Sequence, residues 1–318
     1  MINFEKHIDT KAAVLEEIKF PGIKSGNRFY IKREDKFHHA ISGNKWRKLK
    51  YNLIEAKRQG KETLLTFGGA YSNHIYATAS AGNLFGFKTI GLIRGEEHLP
   101  LNPTLTFAKE IGMEIHYVNR SDYRKRYDND FIEKIYEQFG DVYLIPEGGT
   151  NLLALKGAKE IVDDIEIDFD YICSACGTGG TIAGIISGLD NHKYAIGFPV
   201  LKGASFLERN ITKLIKDFTG KEFNNWHLEL NYHFGGYAKI KAELINFIEE
   251  FETLNGIKLD PVYTGKMMYG IFDLERKGYF KKGSTIIAIH TGGLQGIEGM
   301  KPKIEKLKLT VKNTLKMH

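Results

Sequence analysis

Tyr171-Ile172-Cys173-Ser174-Ala175-Cys176-Gly177-Thr178-Gly179-Gly180-Thr181-Ile182-Ala183-Gly184-Ile185-Ile186 reads as a buried strand, a glycine turn and a helix. The run Tyr171–Ser174 is short and apolar, as a strand covered on both faces must be. Gly177, Gly179 and Gly180 remove Cβ atoms, so backbone N–H groups can converge on an anion where the helix begins. Thr178 and Thr181 add hydroxyl donors. The pattern predicts a phosphate-bearing ligand. It is not a dinucleotide fingerprint, because Ile182 stands where the third glycine belongs, and no Gly-Lys-Ser/Thr follows as in a Walker A loop. Glycines that only permit close strand–helix packing are the alternative reading.

Outward from this turn the same alternation repeats. Strands are predicted over Thr63–Phe67, Thr89–Arg94, Glu114–Val118, Val142–Ile145, Tyr194–Phe198 and Thr285–Ile289. Helices are predicted over Asn73–Leu84, Asp130–Phe139, Leu152–Val162, Thr178–Leu189, Tyr237–Leu254 and Met267–Arg276. Such alternation predicts an α/β fold with a mostly parallel sheet covered by helices on both faces, with ligands bound beyond the C-terminal strand ends. Two more small-residue turns lie at such ends, Phe67-Gly68-Gly69-Ala70-Tyr71-Ser72-Asn73-His74 and Pro146-Glu147-Gly148-Gly149-Thr150-Asn151. Gly95–Asn102 and Asn119–Asp130 are polar connections that read as surface loops. No repeat and no Pro/Ser-rich linker marks a domain boundary.

A chain of 318 residues holds two domains or one large one. Its 42% hydrophobic and 26% charged residues exclude disordered and collagen-like classes. No apolar run reaches the roughly 18 residues of a membrane span, and the start has no apolar signal core. Two cysteines form no disulfide framework, which suits a reducing cytoplasm. Of the +6 net charge, most lies in Lys301–His318, where six lysines face Glu305 alone. That tail reads as a solvated helix or strand, because no aromatic interleaving supports nucleic-acid or membrane binding. Cys173-x-x-Cys176 resembles a redox pair in spacing, but Cys173 falls inside the strand and not at a helix start. No metal-ligand spacing is present, and His38-His39 reads as a loop pair.

A lysine is placed for chemistry further upstream. Trp46, Leu49, Leu53 and Ala56 recur at helical spacing up to Gly60, and Asn44 suits the N-cap, which puts Lys45 in the first turn. There the helix dipole disfavours its positive charge. A neutral lysine amine can attack a carbonyl. On its own the position is more often that of a solvated lysine.

Six motifs then occur in one order between about residues 30 and 296: Tyr30-Ile31-Lys32-Arg33-Glu34-Asp35; Gly43-Asn44-Lys45-x-Arg47-Lys48-Leu49; Ser72-Asn73-His74; Gly177–Thr181; Asp260-Pro261-Val262-Tyr263-Thr264-Gly265-Lys266; and His290-Thr291-Gly292-Gly293. Together they resemble the 1-aminocyclopropane-1-carboxylate deaminase / D-cysteine desulfhydrase family, pyridoxal-phosphate enzymes of the tryptophan-synthase-β fold (fold type II). The resemblance implies two open, mostly parallel sheets flanked by helices. It places residues 1–50 and 149–318 in a larger cofactor domain and 51–148 in a smaller inserted one. Lys45 would hold pyridoxal 5′-phosphate covalently and act as general base. Gly177, Thr178, Gly179, Gly180 and Thr181 would cradle its phosphate, Asn73 would meet the 3-hydroxyl oxygen, and Thr264 the pyridine nitrogen. The backbone N–H groups of Ser72, Asn73 and His74 would take the substrate carboxylate, with Ser72 and Tyr263 as the catalytic serine and tyrosine. A small amino-acid substrate and a homodimer are implied with them, and the cysteine usage adds the expectation of a cytoplasmic location.

The family holds two chemistries. Where the cyclopropane deaminases carry Glu after the active-site tyrosine, this chain has Thr264, as the desulfhydrases do. A carboxylate beside the pyridine nitrogen holds it protonated and strengthens the electron sink, whereas a neutral hydroxyl does not. The resemblance therefore favours β-elimination of D-cysteine to pyruvate, hydrogen sulfide and ammonia. Deamination of 1-aminocyclopropane-1-carboxylate to 2-oxobutanoate and ammonia is the rival. Another D-amino acid, or a redox or phosphate-binding module without lyase activity, are further alternatives. Tyr71 replaces the family's usual Gln, Ile75-Tyr76 stand where Arg is common, and Ser42 replaces a Gly. Tyr71 and Tyr76 read either as pocket lining or as packing.

Overall fold

The computed structural model describes residues 3–19, 21–22, 25–189 and 192–316, with side chains through residue 309. In chain order the elements begin with β1 (Leu15–Glu17), β2 (Arg28–Lys32), α1 (Asn44–Arg58), β3 (Thr63–Gly68), α2 (Asn73–Phe85) and β4 (Lys88–Arg94). Next come α3 (Pro103–Glu110), β5 (Met113–Val118), α4 (Arg120–Tyr123), α5 (Asn129–Phe139), β6 (Val142–Ile145) and α6 (Leu152–Asp163). They continue with β7 (Tyr171–Cys176), α7 (Gly180–Ile186), β8 (Tyr194–Pro199), α8 (Phe206–Thr219) and β9 (Trp226–Leu228). The last are α9 (Ala242–Asn255), α10 (Thr264–Arg276), β10 (Thr285–Ile289) and α11 (Gly296–Lys316).

The strands form two sheets. One has the order β1-β2-β10-β7-β8-β9 and is parallel except for β1. The other, β5-β4-β3-β6, is parallel throughout and uses only residues 63–145. Parallel strands need crossovers, which the intervening helices supply, so both faces are covered. On one side of the larger sheet Phe29, Phe198, Met267 and Phe272 make the core; on the other Leu155, Ile172, Ile182 and Ile287 do.

Two close approaches fix the helices beside the glycine turn. A Cβ on Gly157 of α6 would lie 1.9 Å from the Arg47 carbonyl oxygen of α1, and one on Gly184 of α7 would lie 2.5 Å from Ala158 Cβ. Only glycine lets these backbones touch. Arg47, buried on α1, donates two bonds to the buried Glu34 carboxylate (2.8 and 3.0 Å) and further bonds to Glu160 of α6 and to Asp164, the residue that caps its C-terminus. Through Glu34 the Tyr30–Asp35 motif thus anchors α1, and none of its residues lines the cavity described below.

Several expectations shift. The α1 N-cap is Gly43 (φ 64°), not Asn44: a Cβ there would lie 2.0 Å from the Thr291 carbonyl oxygen. Asn44 is free to turn its side chain inward. The strand after Asp170 runs on to Cys176, and α7 starts at Gly180, because Gly179 is left-handed (φ 86°). The helix expected from Tyr237 starts at Ala242, since Gly235, Gly236 and Ala238 have positive φ. The expected domain divide at residues 50 and 51 falls inside the continuous α1. The basic tail is helical through Lys316, while residues 317 and 318 lie outside those described. No helix among the described residues is long and apolar enough to cross a membrane.

Candidate active site

Loops at the C-terminal ends of β2, β3, β4, β6, β7, β8 and β10 surround one cavity of about 430 Å³. This is where open parallel sheets bind ligands. Lys45 enters it from the first turn of α1, its Nζ donating to Asn44 Oδ1 (2.8 Å). Asn44 Nδ2 in turn donates to Thr181 Oγ1 (2.7 Å), which ties the lysine to the glycine turn. Burial lowers the Lys45 ammonium to about 8, with Asp260 opposing the shift. One turn on, Lys48 Nζ is fully enclosed and donates to the Gly148 carbonyl and to Thr150 Oγ1 (2.9 Å). No carboxylate pairs with it among the described residues, and burial followed by Lys45 pushes its pKa well down.

In the turn 177–181 opposite Lys48, Gly179 and Gly180 leave no space for a side chain. A Cβ on Gly180 would meet Thr150 at 2.8 Å and Lys48 Nζ at 3.1 Å. Thr178 and Thr150 share a hydroxyl bond of 2.6 Å. A buried amine without an anion, facing a glycine turn, is an arrangement that can receive a phosphate.

Ser72 caps α2. Its Oγ accepts from His74 N (3.2 Å) and Ile75 N (3.3 Å), and its own N–H goes to the Gly69 carbonyl. Of the three N–H groups expected to receive a carboxylate, those of Ser72 and His74 thus have partners within the chain, and that of Asn73 has none among the described residues. Thr66 Oγ1 donates to the Ile145 carbonyl, so it accepts from His74 Nε2 (2.9 Å). This makes Nε2 the protonated nitrogen of His74. The buried Nδ1 has no partner. Burial, then Lys45 and Lys48, hold this ring neutral.

Asp260 builds the last wall. Its carboxylate accepts the backbone N–H groups of Val262, Tyr263 and Thr264, and that turn presents Tyr263 to the cavity. Burial, then the neighbouring Tyr237, raise the Tyr263 phenol well above its ordinary value. Thr264 is placed otherwise than expected: its hydroxyl donates to Asp260 Oδ2 (2.7 Å) and accepts from Asp260 N (2.9 Å), and it does not line the cavity. Thr291 does line it.

The structure thus brings Lys45, Ser72, Asn73, His74, Gly177, Thr178, Gly179, Gly180, Thr181 and Tyr263 to one cavity and leaves Thr264 outside it. Sequence reading missed Lys48, Tyr237 and Thr291. Lys48 and Thr291 stood inside quoted motifs, and the spacing of Lys48 one helical turn from Lys45 was the available signal. Tyr237, its ring edge-on to Tyr263 at 6.1 Å, lay in a stretch read as helix. Tyr76 stacks on Phe107 of α3 and Tyr71 lies against Gly299, so neither lines this cavity. Cys173 and Cys176 are buried, and burial raises both thiols, Cys176 to about 12. Neither has the thiolate character a redox pair needs.

Fold and cavity together define a cofactor enzyme that holds a phosphate and carries a lysine ready to react. A family profile described as "Pyridoxal-phosphate dependent enzyme" matches residues 14–292. The chain belongs to that family, within its 1-aminocyclopropane-1-carboxylate deaminase / D-cysteine desulfhydrase branch. It is 35% identical over 85% of its length to a Pyrococcus horikoshii protein named "Putative 1-aminocyclopropane-1-carboxylate deaminase", covering 86% of that protein. To the "Bifunctional D-cysteine desulfhydrase/1-aminocyclopropane-1-carboxylate deaminase, mitochondrial" of Arabidopsis thaliana it is 31% identical, over 87% of this chain and 75% of that one. A crystal structure described as an "ACC deaminase homologue" superposes with a TM-score of 0.81 at 32% identity, covering 96% and 97% of the two chains. The cofactor is pyridoxal phosphate, and the residues fit it: Lys48 lacks only an anion, and Lys45 is buried with a lowered pKa.

Proposed function

We propose that the protein is a pyridoxal-phosphate-dependent lyase that eliminates sulfide from D-cysteine, giving pyruvate, hydrogen sulfide and ammonia. One observation carries the choice of reaction. Among the described residues lining the cavity the sole carboxylate is Glu147, and Arg126 (2.7 Å) and Tyr123 (2.8 Å) hold it. Position 264, where the cyclopropane deaminases carry a glutamate, has a hydroxyl bonded to Asp260. The bound cofactor supplies an electron sink for the pair formed at the substrate Cα. A site without a second acid suits a reaction whose leaving sulfur takes up those electrons, more than one that must open a cyclopropane.

Lys45 holds the cofactor between turnovers and, once freed, takes the Cα proton. A pKa near 8 keeps part of the amine neutral at neutral pH. The 177–181 turn and Lys48 hold the phosphate. Asn73 would hold the ring 3-oxygen, and Thr291, which lines the cavity where Thr264 does not, would serve the ring nitrogen in its stead. The substrate carboxylate is received at the Ser72-Asn73-His74 turn, where it displaces part of the Ser72 cap. Tyr263, kept protonated by burial, donates to the departing sulfur, with Tyr237 against it. We further infer a larger domain of residues 1–50 and 149–318 and a smaller one of 51–148; the division of the strands between two sheets supports this, with α1 bridging the divide.

The second reading, 1-aminocyclopropane-1-carboxylate deamination, is favoured by the name of the Pyrococcus relative. Assaying the holoenzyme on both substrates separates the two. Higher kcat/KM for sulfide and pyruvate release from D-cysteine is expected; higher kcat/KM for 2-oxobutanoate from the cyclopropane reverses the assignment. Lys45→Ala is expected to abolish both.

A further inference from the structure

Asn73 faces two cavities, the large one and a smaller one of about 100 Å³ beside the first turns of α11. Gln295, the residue before that helix, donates from Nε2 to Asn73 Oδ1 at 2.7 Å. A Cβ on Gly293 would lie 2.4 Å from Asn73 Nδ2, so the loop backbone presses directly on the amide. Nδ2 itself has no hydrogen-bond partner among the described residues. The two ends of an asparagine amide have nearly the same shape, so packing does not choose between them; a hydrogen-bond partner does.

We propose that Gln295 is a positioning residue that sets which end of the Asn73 amide meets the cofactor. By donating to Oδ1 it presents Nδ2 as a donor to the ring 3-oxygen. This rests on the reading above that Asn73 meets that oxygen. The oxygen carries negative charge, so a donor there attracts it and an acceptor repels it. Through Gln295 the seating of the C-terminal helix, also pressed on Tyr71 at Gly299, reaches the cofactor ring.

Gln295→Glu keeps the shape and replaces the donor with an acceptor, so the Asn73 amide turns its N–H group toward residue 295 and would offer its oxygen, not its N–H, to the ring 3-oxygen. Titrating the cofactor-free full chain with pyridoxal phosphate should show about ten- to a hundredfold weaker binding and a displaced visible band. Gln295→Leu should lose less, and Gln295→Lys, which still donates, least. If the Glu variant does not fold, the Leu and Lys pair carries the same comparison. A purely packing role predicts the reverse order, with Leu worse than Glu. In an Asn73→Ala background the Glu and Leu variants should bind alike. Unchanged affinity and band on Asn73→Ala alone would overturn the reading of Asn73. A large effect there, with Glu equal to the unmodified chain, would overturn the role of Gln295 alone.

Discussion

Lys45 and Lys48 are two ammonium groups withdrawn from water on successive turns of one helix, and neither is bonded to a carboxylate. Burial depresses Lys45 from its ordinary 10.5 to about 8, so its neutral fraction grows tenfold per pH unit below 8 and levels off above. The rate at which cofactor-free protein develops the visible band of bound pyridoxal phosphate should follow that curve. A rate still climbing at pH 10 would mark an ordinary lysine. For Lys48 the expected effects have opposite signs. Lys48→Met removes a buried amine that no carboxylate pairs with and whose charged form burial disfavours, so cofactor-free protein should unfold at an equal or higher urea concentration. The same variant loses a charge-assisted bond to phosphate of about 1.5–3 kcal/mol, so pyridoxal phosphate should bind at least tenfold more weakly.

Among the elements, α1 matters most, because both lysines ride on it. Its position is set by contact with α6 at Gly157 and by the Arg47 bonds to Glu34, Glu160 and Asp164. Gly157→Ala places a methyl 1.9 Å from a backbone oxygen that cannot rotate away. The helices must separate, at a cost of about 2 kcal/mol in unfolding free energy by urea titration, as overpacked contacts show. Cofactor affinity should fall with it, since α1 carries Lys45 away from the Thr181 side of the site. None of this was legible from periodicity. Gly157 read as one small residue inside a helix pattern, and Arg47 read as part of a motif whose purpose the motif does not state.

For the whole molecule, the cavity takes side chains from the loops of both sheets. A ligand held there stabilises the native state by binding it and not the unfolded chain. At a hundredfold excess over its dissociation constant, pyridoxal phosphate should add about 2.7 kcal/mol to unfolding stability. A clear rise in the melting midpoint, much reduced in Lys45→Ala, is the expected result, and scanning calorimetry measures it.

The central strands of both sheets and most of the helices between them, the glycine turn after β7 and the lysine in the first turn of α1 were determined by the sequence alone, whereas β1, β2, β9, α3, α4 and α8 were not among the expected elements. The expected ones rest on local rules: alternation, helical spacing, and the freedom that glycine gives a turn. Other features only the tertiary structure decided. Gly43 caps α1 because the Thr291 carbonyl, far along the chain, leaves no room for a side chain. Thr264 turns to Asp260 while Thr291 takes the cavity; the tautomer of His74 follows from Thr66 and Ile145. Each depends on which distant groups come within bonding distance once the sheets have packed, and spacing along the chain carries no record of that.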